Sequence, residues 1–252
     1  VIHFCGMFLP WHRYYVQLYQ NQLRECGYTG PMPYWDWTLD AADTAHSTIW
    51  DVVGGNGSPS KVEKTGTQEW MCLTDGPFKD LRPAYNELDY APHCLSRDFF
   101  DGQSRPGNMR GQAYNADELK FIGERPTYAD FRLYLESIPH GSIHSAVGGQ
   151  RGDMKPSSSP NDPLFFLHQI PRSRKKKGSG SFTLQGPTYL PGGKWQQASP
   201  EAREKDILDD KTNPVDGTKS ALDDVMPYMG LAADIKIADV MTTQNDLLCY
   251  TY

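Results

Sequence analysis

The stretch ESIPHGSIHSAVGG, residues 136–149, decides how the chain is read. His140 and His144 stand four residues apart. On a helix their imidazoles share one face, a turn apart, and both can grip a single metal ion. Gly141 follows His140 where a zinc-protease helix would carry its glutamate, so the general base of that chemistry is missing. Just upstream, YADFRLYLESI, residues 128–138, has the apolar spacing of a helix. Pro139 then fits the first turn of a following helix, where its missing N–H leaves no bond unmade. An i, i+4 histidine pair is common on surfaces and in cores, so its weight depends on what else the chain offers.

Two further places offer imidazoles. HFCGMFLPWHRYY, residues 3–15, sets His3 and His12 nine apart; without a metal these are a loop histidine and one at a helix start. Tyr15, Val16, Tyr19 and Leu23 recur at helical spacing and predict a helix over 11–26, stopped by Gly27 and Gly30-Pro31. SPNDPLFFLH, residues 159–168, closes an apolar run on His168, which alone reads as a core histidine. Three histidine-bearing places, each in an apolar frame marked by proline, together favour a metal. Imidazole donors suit copper, zinc, iron or nickel. The remaining two of the seven histidines, His46 and His93, are expected on the surface or in loops.

The 252 residues suffice for one large domain, and 38% hydrophobic with 12% aromatic residues is a globular composition. A formal net charge of -6 gives no support to nucleic-acid or anionic-membrane partners. No apolar run reaches the roughly 18 residues that would span a membrane. Residues 32–38, MPYWDWT, are dense in aromatics and expected near the core. Residues 54–127 are rich in Gly, Pro, Asp, Asn and Ser and predict long loops with short helical pieces. An amphipathic piece is expected near 218–243, and the basic run from Arg172 to Lys177 as a solvated loop. Strand patterns are few, so the expected class is mainly α with irregular loops and few short strands, in a single domain over 1–252. Five cysteines include no CxxC pair, which argues against a thiolate zinc site. Cys72 and Cys94 lie in a loop-rich stretch and could be bridged. The opening Val-Ile-His, without an initiator methionine, suggests a trimmed or incomplete N-terminus and leaves room for a secretory signal. The sequon Asn56-Gly57-Ser58 leans toward an extracellular protein.

Taken together, these stretches resemble the tyrosinase and catechol oxidase (polyphenol oxidase) family of type-3 copper proteins, nearest to short fungal forms. HFCGMFLPWHRYY resembles the family's first copper region from its second ligand to its third, and PMPYWDW the aromatic segment after it. ESIPHGSIHSAVGG resembles the start of the second copper region and SPNDPLFFLH its end, while the closing CYTY is similar to the family's Tyr-x-Tyr motif. The resemblance implies a four-helix bundle holding two copper ions, three histidines to each. His3 and His12 would bind the first copper; His140, His144 and His168 would bind the second. The family's remaining ligand to the first copper would lie upstream of His3. At the second site the family pattern has two successive histidines, the second being the ligand. Here Leu167-His168 is followed by Gln169 and, two residues on, by Pro171, so the position of the third ligand departs from the family.

The implied activity is oxidation of o-diphenols to o-quinones with O2 as acceptor, with a small phenol as partner. Glu136, four residues before His140, stands near the place of a family carboxylate that orders a water for monophenol deprotonation. Its alternative is a helix-surface carboxylate. Gly141 stands where some strong monophenolases have Asn, which leans toward a diphenolase. A tyrosinase with full monophenolase activity, an oxygen carrier of the hemocyanin type and a mononuclear zinc hydrolase on His140 and His144 are the competing readings.

Overall fold

The structure, a computed structural model, describes residues 2–100, 109–155, 158–169, 220–241 and 245–248. The basic run after Ile170 and the closing CYTY lie outside the described residues. The class is mainly α with long loops and few short strands, as the sequence leads one to expect. Among the described residues no helix is long and apolar enough to cross a membrane. The chain divides into two compact units that interleave along the sequence. The first draws on 1–34, 119–136 and 169–252, the second on 35–118 and 137–168.

In the first unit, α1 runs Phe8–Glu25. It begins earlier than the expected residue 11 because Pro10 falls in the first turn, where an N–H has no helical partner to lose. Gly27, at φ 91, takes the left-handed conformation that ends a helix without a Cβ penalty. The apolar face of α1 packs into a core of Met7, Tyr14, Met226, Tyr228, Ile237 and Val240. Trp11 stacks on Tyr228 with ring centroids 5.2 Å apart and planes 3° from parallel, and its indole N–H donates to Pro227 O at 2.9 Å. The Arg13 guanidinium, buried, donates to Val240 O. The expected amphipathic piece near 218–243 contains a small antiparallel ladder, β5 (Val225–Met226) against β6 (Ile235–Lys236), followed by the 3-10 turn Ile237–Val240. Met229 and Gly230, both at positive φ, lie between the two strands. The helix α4, Tyr128–Leu135, is capped by Thr127, whose hydroxyl accepts the Asp130 N–H.

Residues 136–140 form a π-helical turn, so Pro139 sits inside it and not in the first turn of α5. Proline has no N–H to give and its ring crowds the carbonyl four residues back; the wider turn accommodates both.

The second unit is built on loops held by buried aromatics and polar ties. Trp35, Trp37, Trp50 and Trp70 are all buried. Helix α2 is Ile49–Val53, and the hairpin of β1 (Val62–Thr65) and β2 (Gln68–Met71) leads into a Cys72–Cys94 disulfide and a bridge between Cys72 and Ser96. A second two-stranded ladder pairs β3 (Tyr85–Asn86) with β4 (Asp89–Tyr90). Helix α3, Ala116–Gly123, begins in this unit and ends in the first, and two short helices, α5 (Gly141–Gly148) and α6 (Leu164–His168), also belong to this unit. With so few regular bonds in residues 54–100, the disulfide constrains much of this loop region. Replacing Cys72 and Cys94 together by serine is expected to lower unfolding free energy by about 2–4 kcal/mol. Chemical denaturation checks this; an unchanged midpoint would show the bridge to be dispensable.

Candidate metal centre

The π-helical turn Glu136–His140, α5 and α6 bring His140, His144 and His168 together. One ring nitrogen from each lies within 4.8 Å of the others. The Nε2 atoms of His140 and His144 are 3.2 Å apart, as the i, i+4 spacing predicts. The ring of His168 lies 5.2 Å from His140 and 4.9 Å from His144, centroid to centroid. His140 and His168 are buried. Three imidazoles converging on one point are a donor set that fits a copper ion, and among the described residues no carboxylate joins them to redirect the preference toward harder cations.

The orientation of His144 has a visible cause. Its Nδ1–H donates to the backbone carbonyl of Met154 at 2.5 Å, which leaves Nε2 with its lone pair directed at the cluster. Glycines make that carbonyl available. Residues 148–152, GGQRG, turn the chain back on α5: Gly149 adopts φ 52, and a Cβ there would stand 1.9 Å from Asp98 O. A Cβ on Gly148 would stand 2.4 Å from Lys155 N.

His168 owes its place to the start of α6. Asp162 accepts the Leu164 N–H at 2.9 Å and is held by Arg97 through two bonds, Nε–Oδ2 at 2.7 Å and Nη2–Oδ1 at 2.8 Å. Both side chains are fully buried, and Arg97 also donates to carbonyls of residues 53–55. At the C-terminal end of α6, the Trp35 N–H donates to Leu167 O at 3.0 Å, and Trp37 lies 6.4 Å from the His168 ring.

In the first unit His3 and His12 lie with ring centroids 5.4 Å apart. The Nδ1–H of His12 donates to Phe8 O at 2.7 Å, one turn back on α1, which fixes the orientation of the ring. His12 is buried among Phe8 and Trp11, and His3 is exposed.

Glu136 is not the surface carboxylate of the alternative reading: it is 2% exposed. Its Oε1 accepts the Phe4 N–H at 2.8 Å, and its Oε2 accepts from Arg132 at 3.2 Å. Gln169, the residue at the family's usual ligand position, is buried.

His46 is exposed and pairs with Asp43, as expected of a loop histidine. His93 departs from expectation. It is fully buried, stacks on Trp70 at 3.7 Å, and faces Ala91 O and Asp153 Oδ1 at 2.6 and 2.9 Å. An acceptor at each nitrogen means that both must carry hydrogens, so the ring is an imidazolium. Burial opposes that charge, but the bonds to Asp153 and Ala91 and the Asp153 charge, against a small opposing effect of Arg82, hold its pKa above the ordinary value. Sequence offered no signal for this, because its partner is 60 residues away.

Three imidazoles gathered on one point in a helical protein could hold a metal ion. The sequence pattern described as the common central domain of tyrosinase matches residues 1–170. The chain is 35% identical over 254 residues to tyrosinase ustQ of Aspergillus flavus, covering 99% of this chain and 64% of that protein. To the tyrosinase-like protein phomQ2 of Diaporthe leptostromiformis it is 33% identical over 252 residues, covering 99% of this chain and 59% of that one. It thus spans somewhat less than two thirds of the length of these relatives. A mutant polyphenol oxidase from Thermothelomyces thermophila matches the whole chain, and 74% of its own, with a TM-score of 0.70 at 26% identity. The chain belongs to the tyrosinase family of oxidoreductases, and membership implies a type-3 dicopper centre.

Two outcomes are expected here. Arg97→Met leaves the Asp162 carboxylate buried and unpaired, so unfolding free energy should fall by about 3–5 kcal/mol in denaturant titrations. Because the folded pKa of His93 is raised, its contribution is full below the unfolded pKa and is lost as pH rises through the folded one. The stability of the wild type should therefore decline across that interval. His93→Gln should remove that part of the decline, and an unchanged pH dependence would refute the ion pair.

Proposed function

We propose that the protein is a copper-dependent oxidase of o-diphenols, converting catechols to o-quinones with O2 as acceptor. The observation that carries this reading is the convergence of His140, His144 and His168 within a family whose members are oxidoreductases. In this proposal those three hold one copper, and His3 and His12 contribute to the other, inside a single catalytic domain over 1–252. The copper pair, when bound, supplies the capacity to take up O2 and two electrons from the phenol. The protein supplies the rest. His12 and His144 each donate Nδ1–H to a backbone carbonyl, Phe8 O and Met154 O, which fixes each ring so that Nε2 is the nitrogen that would face a metal.

Diphenolase is favoured over full monophenolase by two features. Gly141 has no side chain with which to hold a water beside the site. Each oxygen of Glu136 already accepts a hydrogen bond within its own unit, from Phe4 and Arg132, which draws the carboxylate away from ordering a water as base. Glu136 remains the only carboxylate that the resemblance offers for that part, and Glu136→Gln tests it: monophenol hydroxylation should be affected more than catechol oxidation. We also propose a secreted or extracellular setting, which the Cys72–Cys94 disulfide supports, since such bridges persist in oxidising compartments.

The test is elemental analysis of the full-length protein combined with aerobic assays on a catechol, a monophenol and an o-aminophenol. Two coppers per chain and fastest turnover of the catechol are expected. His144→Ala or His168→Ala should lower the copper count and abolish quinone formation. Zinc in place of copper, or reversible oxygenation without turnover, would overturn the reading, the latter in favour of an oxygen carrier.

A further inference from the structure

We infer that the buried His93–Asp153 pair is a positioning device for the metal ligand His144, acting through the Met154 carbonyl. The inference rests on the reading of His144 as a ligand given above. Asp153 is the residue just before Met154. It is fully buried and fixed on every side: Oδ1 accepts from His93 Nε2 at 2.9 Å and from the Asn161 amide at 3.2 Å, and Oδ2 accepts the Ser96 N–H at 2.9 Å. Its own N–H donates to Ser96 O at 2.9 Å. The 93–97 segment to which it is tied is in turn pinned by the Cys72–Cys94 disulfide and by the Cys72–Ser96 bridge.

The chemistry of this arrangement is directional. A backbone carbonyl can fix an imidazole only if its own peptide plane is fixed. The plane that carries Met154 O lies within one residue of a carboxylate receiving three hydrogen bonds. The His93 ring, buried with Asp153, directs Nε2 at that carboxylate from 2.9 Å, and the face of Trp70 at 3.7 Å holds the ring in place. Without the pair, the turn after α5 would keep its glycine geometry but lose the anchor of its last residues. The Nδ1–H of His144 would then compete among water and other acceptors, and its Nε2 lone pair would no longer be held toward His140 and His168. None of these residues touches the ligating nitrogens. Their influence on the metal is wholly through ring orientation.

The first readout needs no metal. Nitrogen-15 spectra of histidine side chains in the metal-free wild type should give His144 as the Nδ1–H tautomer with a slowly exchanging proton. Finding the Nε2–H tautomer would overturn the inference whatever the variants do. The second readout is titration of the metal-free full-length protein with cobalt(II), followed by its visible bands. Asp153→Asn and His93→Phe should each weaken the site by about 10–100-fold, the usual effect of removing a partner of a metal-bound histidine. His93→Gln, which retains an N–H for Asp153, should recover most of the loss. Wild-type affinity in both Asp153→Asn and His93→Phe would refute the inference. Failure of the wild type itself to bind cobalt or copper would instead refute the metal-centre reading and leave the tautomer result standing.

Discussion

The candidate centre turns on one constraint: an imidazole presents one nitrogen in a fixed direction when its other nitrogen is hydrogen-bonded. The fold meets it by two routes. For His12 the acceptor is the carbonyl one turn back on α1, so a regular helix supplies the solution at no cost beyond bending one side chain. For His144 the acceptor is Met154 O, ten residues onward, and it exists only because the chain leaves α5, turns through Gly149 and Gly152, and returns. The glycines of VGGQRGDM are therefore part of the site although they carry no functional group.

That second route is expensive in buried polarity. Arg97 with Asp162, and His93 with Asp153, are charged pairs with no exposed surface in a loop-rich region. Replacing such pairs by apolar residues of similar size is often neutral or stabilising, so stability alone does not explain them. Directionality does. A hydrophobic contact would hold residues 97, 153 and 162 near one another but would not fix peptide planes, whereas bidentate and ring N–H bonds do. Asp162 starts α6 and hence sets His168; Asp153 lies beside the carbonyl that sets His144. Both buried carboxylates thus stand one short step from a histidine of the cluster.

The sequence made the local features legible. Helical spacing disclosed α1 and α4, the i, i+4 rule disclosed the His140–His144 pair, and turn residues disclosed the long loops of 54–100. It also brought His168 into the set against the family pattern, and among the described residues that ring lies within reach of His140 and His144. What could not be read were ties across long separations. His93 looked like a loop histidine because the carboxylate it meets, Asp153, lies 60 residues on, and Arg97 met Asp162 only through the fold. Pro139 was misplaced for a different reason: proline forbids an ordinary helical interior, and a π-helical turn is a rare way around the prohibition that no local pattern announces.

The same contrast bears on the chemistry. The sequence nominates Glu136 by its spacing from His140, and spacing alone would make it a base. In the fold it is a buried carboxylate paired with a buried guanidinium and capping the Phe4 N–H, next in the chain to His3. Phe4 sits at φ 57, a conformation a phenylalanine adopts only when its surroundings hold it there. A carboxylate that holds this turn beside an arginine has both oxygens engaged in hydrogen bonds. A base for a phenol needs an oxygen turned toward its substrate. Catechols, whose second hydroxyl makes them easier to oxidise, place the least demand on such a group, and the surroundings of Glu136 therefore point in the same direction as the missing side chain at Gly141.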